Sequence, residues 1–342
     1  MKRPTLPDLA RAAGVSLSTV NRVLHDPAAV RPVTRERVLA AAEAIGFYGL
    51  GTIRHGMQAA QPHYRLGILL LQNRRRFYRR LGEALTAEAA RWREARIDLD
   101  LVFLEDLTPE HVAERLRELA CRCESIALVS AQHPVIAQAI DDVGARDVPV
   151  TGLITPLTAT AAVSFVGLDN WKVGRTAAWA FHHMLPRPGK IGILLGSHRY
   201  RNQELNEAGF RSYFREHDPR FVLLDPLSTY EEAAVAREHV ETLLRTHPDL
   251  SGLFLSGGGI TGALAALAAI PRREGFVVVG YELFDDTRAA LLDGRLTMVL
   301  SHPVEAMARE TLATLIRTRL AGPGAGAQSV TLNFDIHTAE NI

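Results

Sequence analysis

The chain has little cysteine: two residues in 342, Cys121 and Cys123, with one residue between them. A disulfide across so short a gap is strained, and two thiols alone fall short of a four-ligand zinc site. Both are expected to be free thiols in a reducing cytoplasm. Aromatic residues are only 6% of the chain. No apolar run reaches membrane-spanning length, and Arg3, Asp8 and Arg11 interrupt any export-type leader at the start. Membrane attachment is therefore not expected. Charge of one sign is also lacking, because 39 basic residues face 38 acidic ones. The whole chain thus carries no electrostatic signature of a nucleic-acid or membrane binder. Catalytic patterns are missing as well. There is no P-loop and no HExxH, and Ser197 sits directly beside His198, which is not how a nucleophile and its base are organised. Neither enzyme activity, a metal nor a cofactor is expected.

What is present is a soluble composition, 47% hydrophobic and 23% charged, over a length suited to two or three domains. Charge is unevenly placed. Residues 1–48 hold seven Lys and Arg against four Asp and Glu, a local excess suited to a small DNA module on a neutral body. Apolar periodicity predicts three short helices there, about 6–13, 17–24 and 34–45. Gly14 breaks the first, Ser16 caps the second, and Thr34 is expected to cap the third after Pro32. Two short helices separated by such a turn make a helix-turn-helix, which places the front of one helix in the major groove. The side chains placed to meet base edges are Leu17, Ser18 and Arg22, with Ser16, Thr19 and Asn21 able to reach phosphates or bases. Thr5, His25, Arg31 and Thr34 complete the candidate DNA face. Arg22 is either a guanine reader or a solvated helix arginine.

Residues 49–63 read as a linker. Gly46, Gly49, Gly51 and Gly56 predict a segment that is mobile when unbound. Beyond it, strand-length Val/Ile/Leu runs alternate with amphipathic stretches. Strands are expected at 66–71, 99–104, 125–130, 148–153, 164–166, 191–195, 221–224, 252–255, 276–280 and 297–300. Helices are expected at 77–93, 109–120, 173–184, 204–216 and 231–246 among others. The fold class is α/β: a small all-α head, then parallel sheets covered on both faces. About ten strands favour two lobes.

The segment TLPDLARAAGVSLSTVNRVLHDPAAVRPVTRERVLAAAEAIGF resembles the DNA-binding head of the lactose-repressor (LacI/GalR) family of bacterial transcription regulators. The later βα pattern is similar to that family's effector domain, itself akin to periplasmic sugar-binding proteins of type I. The resemblance implies a ligand-controlled regulator, expected to be a repressor, that binds near-palindromic operator DNA as a homodimer and holds a carbohydrate-like molecule (sugar, polyol or sugar acid) between two lobes. Its domain plan is head 1–48, linker 49–63 and effector-binding and dimerisation domain 64–342. Lobe 1 would take about 64–165 and 296–322, and lobe 2 about 166–295 and 323–342. In the family the linker becomes a hinge helix whose apolar residue, usually leucine, wedges the minor groove. Here that position is Gly56 and the usual proline is Gly49. Ile53 and Met57, one turn apart, could supply the wedge; a flexible tether is the alternative.

Ligands of such sheets bind beyond the carboxyl ends of the strands. After the first strand come five arginines (Arg74, Arg75, Arg76, Arg79 and Arg80) around Phe77 and Tyr78. The resemblance makes those two rings candidates to stack on a sugar. The arginines could attract an anion, form a solvated rim or bridge the lobes. Gln132, His133, Phe165 and Asp169 end or border other strands; Asn206, Tyr230, Glu282 and His302 complete the set. Asn206 stands where the family often has a sugar-binding arginine, and Glu282 where it has an aspartate. Gly257–Gly262 fits G-x-G-x-x-G with Glu282 downstream, which leaves a dinucleotide-using sensor as an alternative. Gly258 is otherwise expected to face the ligand and make room for it. A solute-binding protein without regulatory function is the remaining alternative.

Overall fold

The computed structural model describes residues 3–59, 61–322 and 324–342. The chain divides into two compact units, one formed by residues up to Tyr64 with Ala89–Asp98, the other by the remainder.

The first unit contains the head. Helix α1 (Leu6–Ala13) starts at Thr5, whose backbone N–H and hydroxyl both donate to Asp8, at 3.0 and 2.6 Å. It ends at Gly14, whose φ of 62° is the left-handed cap that glycine adopts at no cost. Helix α2 (Leu17–His25) is capped by Ser16, which accepts from the Thr19 N–H at 3.2 Å. A one-turn 3-10 helix (Pro27–Ala29) leads to α3 (Pro32–Ala44). This third helix begins earlier than expected. Arg31 is its cap and Pro32 its first residue, a position where proline's missing N–H and fixed φ are advantages. Thr34 therefore lies inside the helix. The linker is not irregular: α4 (Leu50–Ala59) runs through it, with Ile53 fully buried alongside Leu9, Val20, Val23, Val38 and Phe47. Arg54 pairs with Glu43 of α3 at 2.7 Å. Burial of Ile53 and Leu50 against the other helices offsets the helix cost of Gly51 and Gly56, about 1 kcal/mol each.

The body follows in βα order: β1 (His63–Leu71), α5 (Arg76–Arg91), β2 (Arg96–Leu104), α6 (Pro109–Leu119), β3 (Ser125–Leu128), α7 (Pro134–Gly144), β4 (Val150–Leu153), β5 (Ser164–Leu168), α8 (Asn170–Met184), β6 (Lys190–Leu195), α9 (Arg201–His217), β7 (Val222–Leu223), β8 (Leu227–Ser228), α10 (Ala233–Thr246), β9 (Leu250–Leu255), α11 (Ile260–Ala268), β10 (Val277–Tyr281), α12 (Asp285–Leu292), β11 (Met298–Ser301), α13 (Val304–Ala321), β12 (Ser329–Leu332) and β13 (Asp335–His337). One sheet has the order β12-β5-β4-β3-β1-β2 and the other β13-β11-β10-β9-β6-β7, with β8 also on β6. The described pairings are parallel except β11 with β13. Strands β3, β4, β10 and β11 are buried along their whole length, as sheets covered on both faces require.

The chain crosses between the lobes three times: after β5, after β11, and between β12 and β13. These crossings move the expected boundaries. Strand β5 belongs to lobe 1 through Leu168, β11 to lobe 2, and β12 to lobe 1. The lobe 1 core packs Leu69, Leu104, Leu116, Ile126 and Ile140. Lobe 2 is centred on aromatics, with Phe210 and Phe254 stacked at 4.6 Å beside Phe181 and Phe214. Cys121 and Cys123 are free, and burial pushes the Cys123 thiol up to about 11. Among the described residues no helix is long and apolar enough to cross a membrane.

Candidate functional site

Two surfaces of different kinds stand out. On α2, Val20 and Val23 face the core, which leaves Leu17, Ser18, Asn21, Arg22 and His25 exposed along one stripe. Their spacing of one, four, five and eight residues is that of a single helical face. Ser16 and Thr19, at its front, hydrogen-bond each other at 2.8 Å, and Ser16 also meets Ser18 at 2.8 Å. Part of their polar capacity is thus used in shaping the helix start. Thr5 and Arg31 are exposed at the starts of α1 and α3, and Thr34 is half-buried. Ile53 lies in the head core, so the wedge role drawn for it does not stand in this arrangement. The Met57 side chain lies outside the described residues.

The second surface is a cavity of about 530 Å³ between the lobes. From lobe 1 come the loop and start of α5, with Arg75, Phe77 and Tyr78. From lobe 2 come Gln203 of α9, Glu231 before α10, the Gly257–Gly259 turn, and Tyr281 and Glu282 after β10. His302, at the second crossing, completes one wall. Phe77 packs edge-on against Tyr78 and tilted against His302, with centroids 5.2 and 5.1 Å apart.

Two largely shielded pairs dominate its electrostatics. Arg75 faces Glu231 across the lobes at 3.4 Å, and Gln203 donates to the other Glu231 oxygen at 2.8 Å. Glu282 is held by His302, through Nδ1 at 2.5 Å and the backbone N–H at 3.4 Å. The Nε2 of His302, on a ring almost wholly buried, has no partner among the described residues. At the rim Arg74 meets Glu232 at 3.7 Å, and Arg76 pairs with Asp286. Three successive arginines of lobe 1 therefore bridge to lobe 2, one of the readings open from the sequence. Burial pushes the phenols of Tyr78 and Tyr281 well above their usual range and that of Tyr200 up to about 12, so all three stay neutral.

The backbone is unusual at this site. Ile154, Glu231 and Glu282 all line the cavity with left-handed φ values of 68°, 64° and 67°. Such conformations cost β-branched and acidic residues energy and cluster at functional sites. The glycines have a related role. A Cβ on Gly196 or Gly258 would lie 1.7 or 1.6 Å from a Glu231 carboxylate oxygen. The glycine turn thus makes room for a carboxylate of the protein. A pyrophosphate brought to the same glycines would meet that like charge, which argues against the dinucleotide reading.

The cavity brings together Phe77, Tyr78, Gly258, Glu282 and His302 of the expected ligand residues. Six others fall elsewhere. Gln132 and His133 line a separate hollow of about 160 Å³. The Gln132 amide is used on the backbone of Thr158, and His133 caps α7 by accepting from the Val135 N–H. The Phe165 ring lies over Gly167 of its own strand. Asp169 caps α8, accepting from Lys172 N–H at 3.1 Å. Asn206 is fully buried behind Ser256, to which it donates at 3.2 Å. It is fixed there by the close approach of α8, where a Cβ on Gly174 would lie 1.9 Å from the Asn206 carbonyl oxygen. Tyr230 is 69% exposed; its neighbour Glu231 points inward instead. Gln203, Glu231 and Tyr281 are not among the expected ligand residues, and Arg75 is expected only as one of the arginines that could draw an anion or bridge the lobes. The arginine run is the signal in the sequence that points to them. Among the described residues no cluster of three His, Cys, Asp or Glu could hold a metal ion.

Comparison with known proteins assigns both parts. Residues 5–49 match the family model for bacterial regulatory proteins of the lacI family, and residues 114–320 match the periplasmic binding protein domain. The HTH-type transcriptional regulator GalS of Salmonella typhimurium is 27% identical over 214 residues, 62% of this chain and 59% of GalS. The sucrose operon repressor of Escherichia coli is 51% identical over 43 residues, 13% of each chain. These alignments span less than two thirds of either relative. Among solved structures, GanP, a glucose-galactose binding protein from Geobacillus stearothermophilus, superposes with a TM-score of 0.73 at 15% identity, covering 82% of this chain and 99% of that one. At that identity the likeness establishes the type I two-lobed fold.

Proposed function

We propose, for a chain that belongs to the periplasmic binding protein domain family and joins that domain to a lacI-family head, the combination of the LacI/GalR regulators, that it represses transcription from operator DNA under control of a carbohydrate-like effector held between its lobes. The observation that carries the reading is the exposed stripe Leu17, Ser18, Asn21, Arg22 and His25 on a capped helix, in one chain with the interlobe cavity. Arg22 pairs bidentately with guanine, and Asn21 and Ser18 flank it. The protein acts in the cytoplasm as a homodimer, so that two heads meet the two halves of an inverted repeat.

The effector changes operator affinity only through its different affinities for two lobe arrangements. The arginine bridges hold one of these, the closed one, and a ligand seated on Phe77, Tyr78 and His302 biases the balance. The effector lowers operator affinity. Selection of duplexes from a random inverted-repeat library, followed by titration with sucrose, D-glucose, D-galactose and polyols, tests both parts. The expected result is one enriched operator and release from it by one carbohydrate. Absence of any preferred duplex overturns the DNA reading; tighter binding with effector makes the molecule a corepressor.

A further inference from the structure

Within the cleft every charge has an internal answer. Arg75 and Glu231, 18% and 14% exposed, face each other, and the second Glu231 oxygen accepts from Gln203. Glu282, also 14% exposed, is held twice by His302. The rim repeats the pattern with Arg74 on Glu232 and Arg76 on Asp286. A further charge placed beside a satisfied, desolvated pair gains no counter-ion of its own and loses its water.

Resting on the reading of this cleft as the effector site, we infer that the effector is uncharged. A carboxylate or phosphate would need a free cation, yet the half-buried Arg75 guanidinium that lines the cavity is already held between Gln72 and Glu231. Glu231 cannot swing away to release it. Its backbone is left-handed, and its carboxylate fills the space left by Gly196 and Gly258. An ammonium group meets the mirror problem, since it must compete with Arg75 for Glu231 or with His302 for Glu282. A hydroxylated, neutral molecule disturbs neither pair. Sugar acids, sugar phosphates and amino sugars are thereby excluded from the class.

Calorimetry of the full-length protein with matched sets tests this: aldoses, each with its aldonate and its 2-amino-2-deoxy analogue, beginning with D-galactose, D-galactonate and D-galactosamine. The neutral member of the binding set is expected to bind at least about 10-fold more tightly than either charged one. Equal or tighter binding by a charged member overturns the inference while the effector role of the cleft stands. Failure of every set, neutral members included, overturns the carbohydrate reading and this inference with it. A second arm uses Glu231→Gln, which keeps the hydrogen bond from Gln203 but frees Arg75 of its counter-charge. The ratio of aldonate to aldose affinity should rise at least about 10-fold; an unchanged ratio overturns the charge argument.

Discussion

On α2, five side chains within nine residues form the outer surface of one helix, held by a cap at Ser16 and two valines beneath. In the cleft, the groups that line the cavity come from separated segments between Arg75 and His302, and the charged ones among them are largely withdrawn from solvent and already paired with one another. The head presents its stripe to solvent, and only Ser18 within it is bonded to the cap at Ser16. The cleft pre-binds its own charged groups, so a neutral molecule there settles beside pairs that are already made. Free, exposed groups suit a partner as large and as charged as DNA, where phosphate attraction supplies much of the affinity. Prearranged, buried groups suit a small molecule that must be told from close analogues.

Four changes separate the two surfaces, taken from the largest expected effect down. Leu9→Ala opens a cavity in a head core of few residues and should cost that unit about 2–5 kcal/mol. Operator binding should be lost at moderate temperature while effector binding by calorimetry is unchanged; parallel loss of both would join the surfaces. Gly258→Ala drives a methyl into the Glu231 carboxylate, an overpacking cost of about 1–3 kcal/mol. Effector affinity should fall by one to two orders of magnitude with operator affinity in the absence of effector retained. Arg22→Ala removes a base reader worth about 1–3 kcal/mol of discrimination. Competition binding should show the specific operator weakened far more than random duplex; equal weakening reduces Arg22 to a phosphate contact. Arg74→Gln breaks a half-exposed rim pair of the kind worth about 0–1 kcal/mol. Effector affinity should shift only a few-fold, and less at high salt.

The same contrast explains what could be read from the residues alone. In the head the signals are local: Ser16 lies three residues from the N–H it caps, Gly14 ends a helix by its own conformation, and the buried valines recur at helical spacing. Even there Pro32 was misplaced outside its helix, and the glycines of α4 hid a segment that Ile53 anchors. The strand pattern of the body was legible because buried parallel strands are nearly continuous Val, Ile and Leu; the two-residue β8 and the polar-edged β12 and β13 were not. In the cleft, position along a strand suggested Phe77, Tyr78, Glu282 and His302 correctly as lining residues. It could not show that His133 and Asp169 serve as helix caps, that Asn206 lies behind the wall, or that Glu231 rather than Tyr230 turns inward. The two caps are local but look like any polar residue at a strand end; the placing of Asn206 and Glu231 depends on Ser256, Arg75 and Gln203, far away in sequence.

The order of the strands has a consequence for synthesis. Strands β12 and β13 are translated after all the others, yet one edges the first sheet and the other edges the second. The first sheet is complete only once β12 has left the ribosome and the second only once β13 has, whereas the head's unit lies within the first hundred residues. During translation, then, the head unit can fold before either sheet of the body has received its last edge strand.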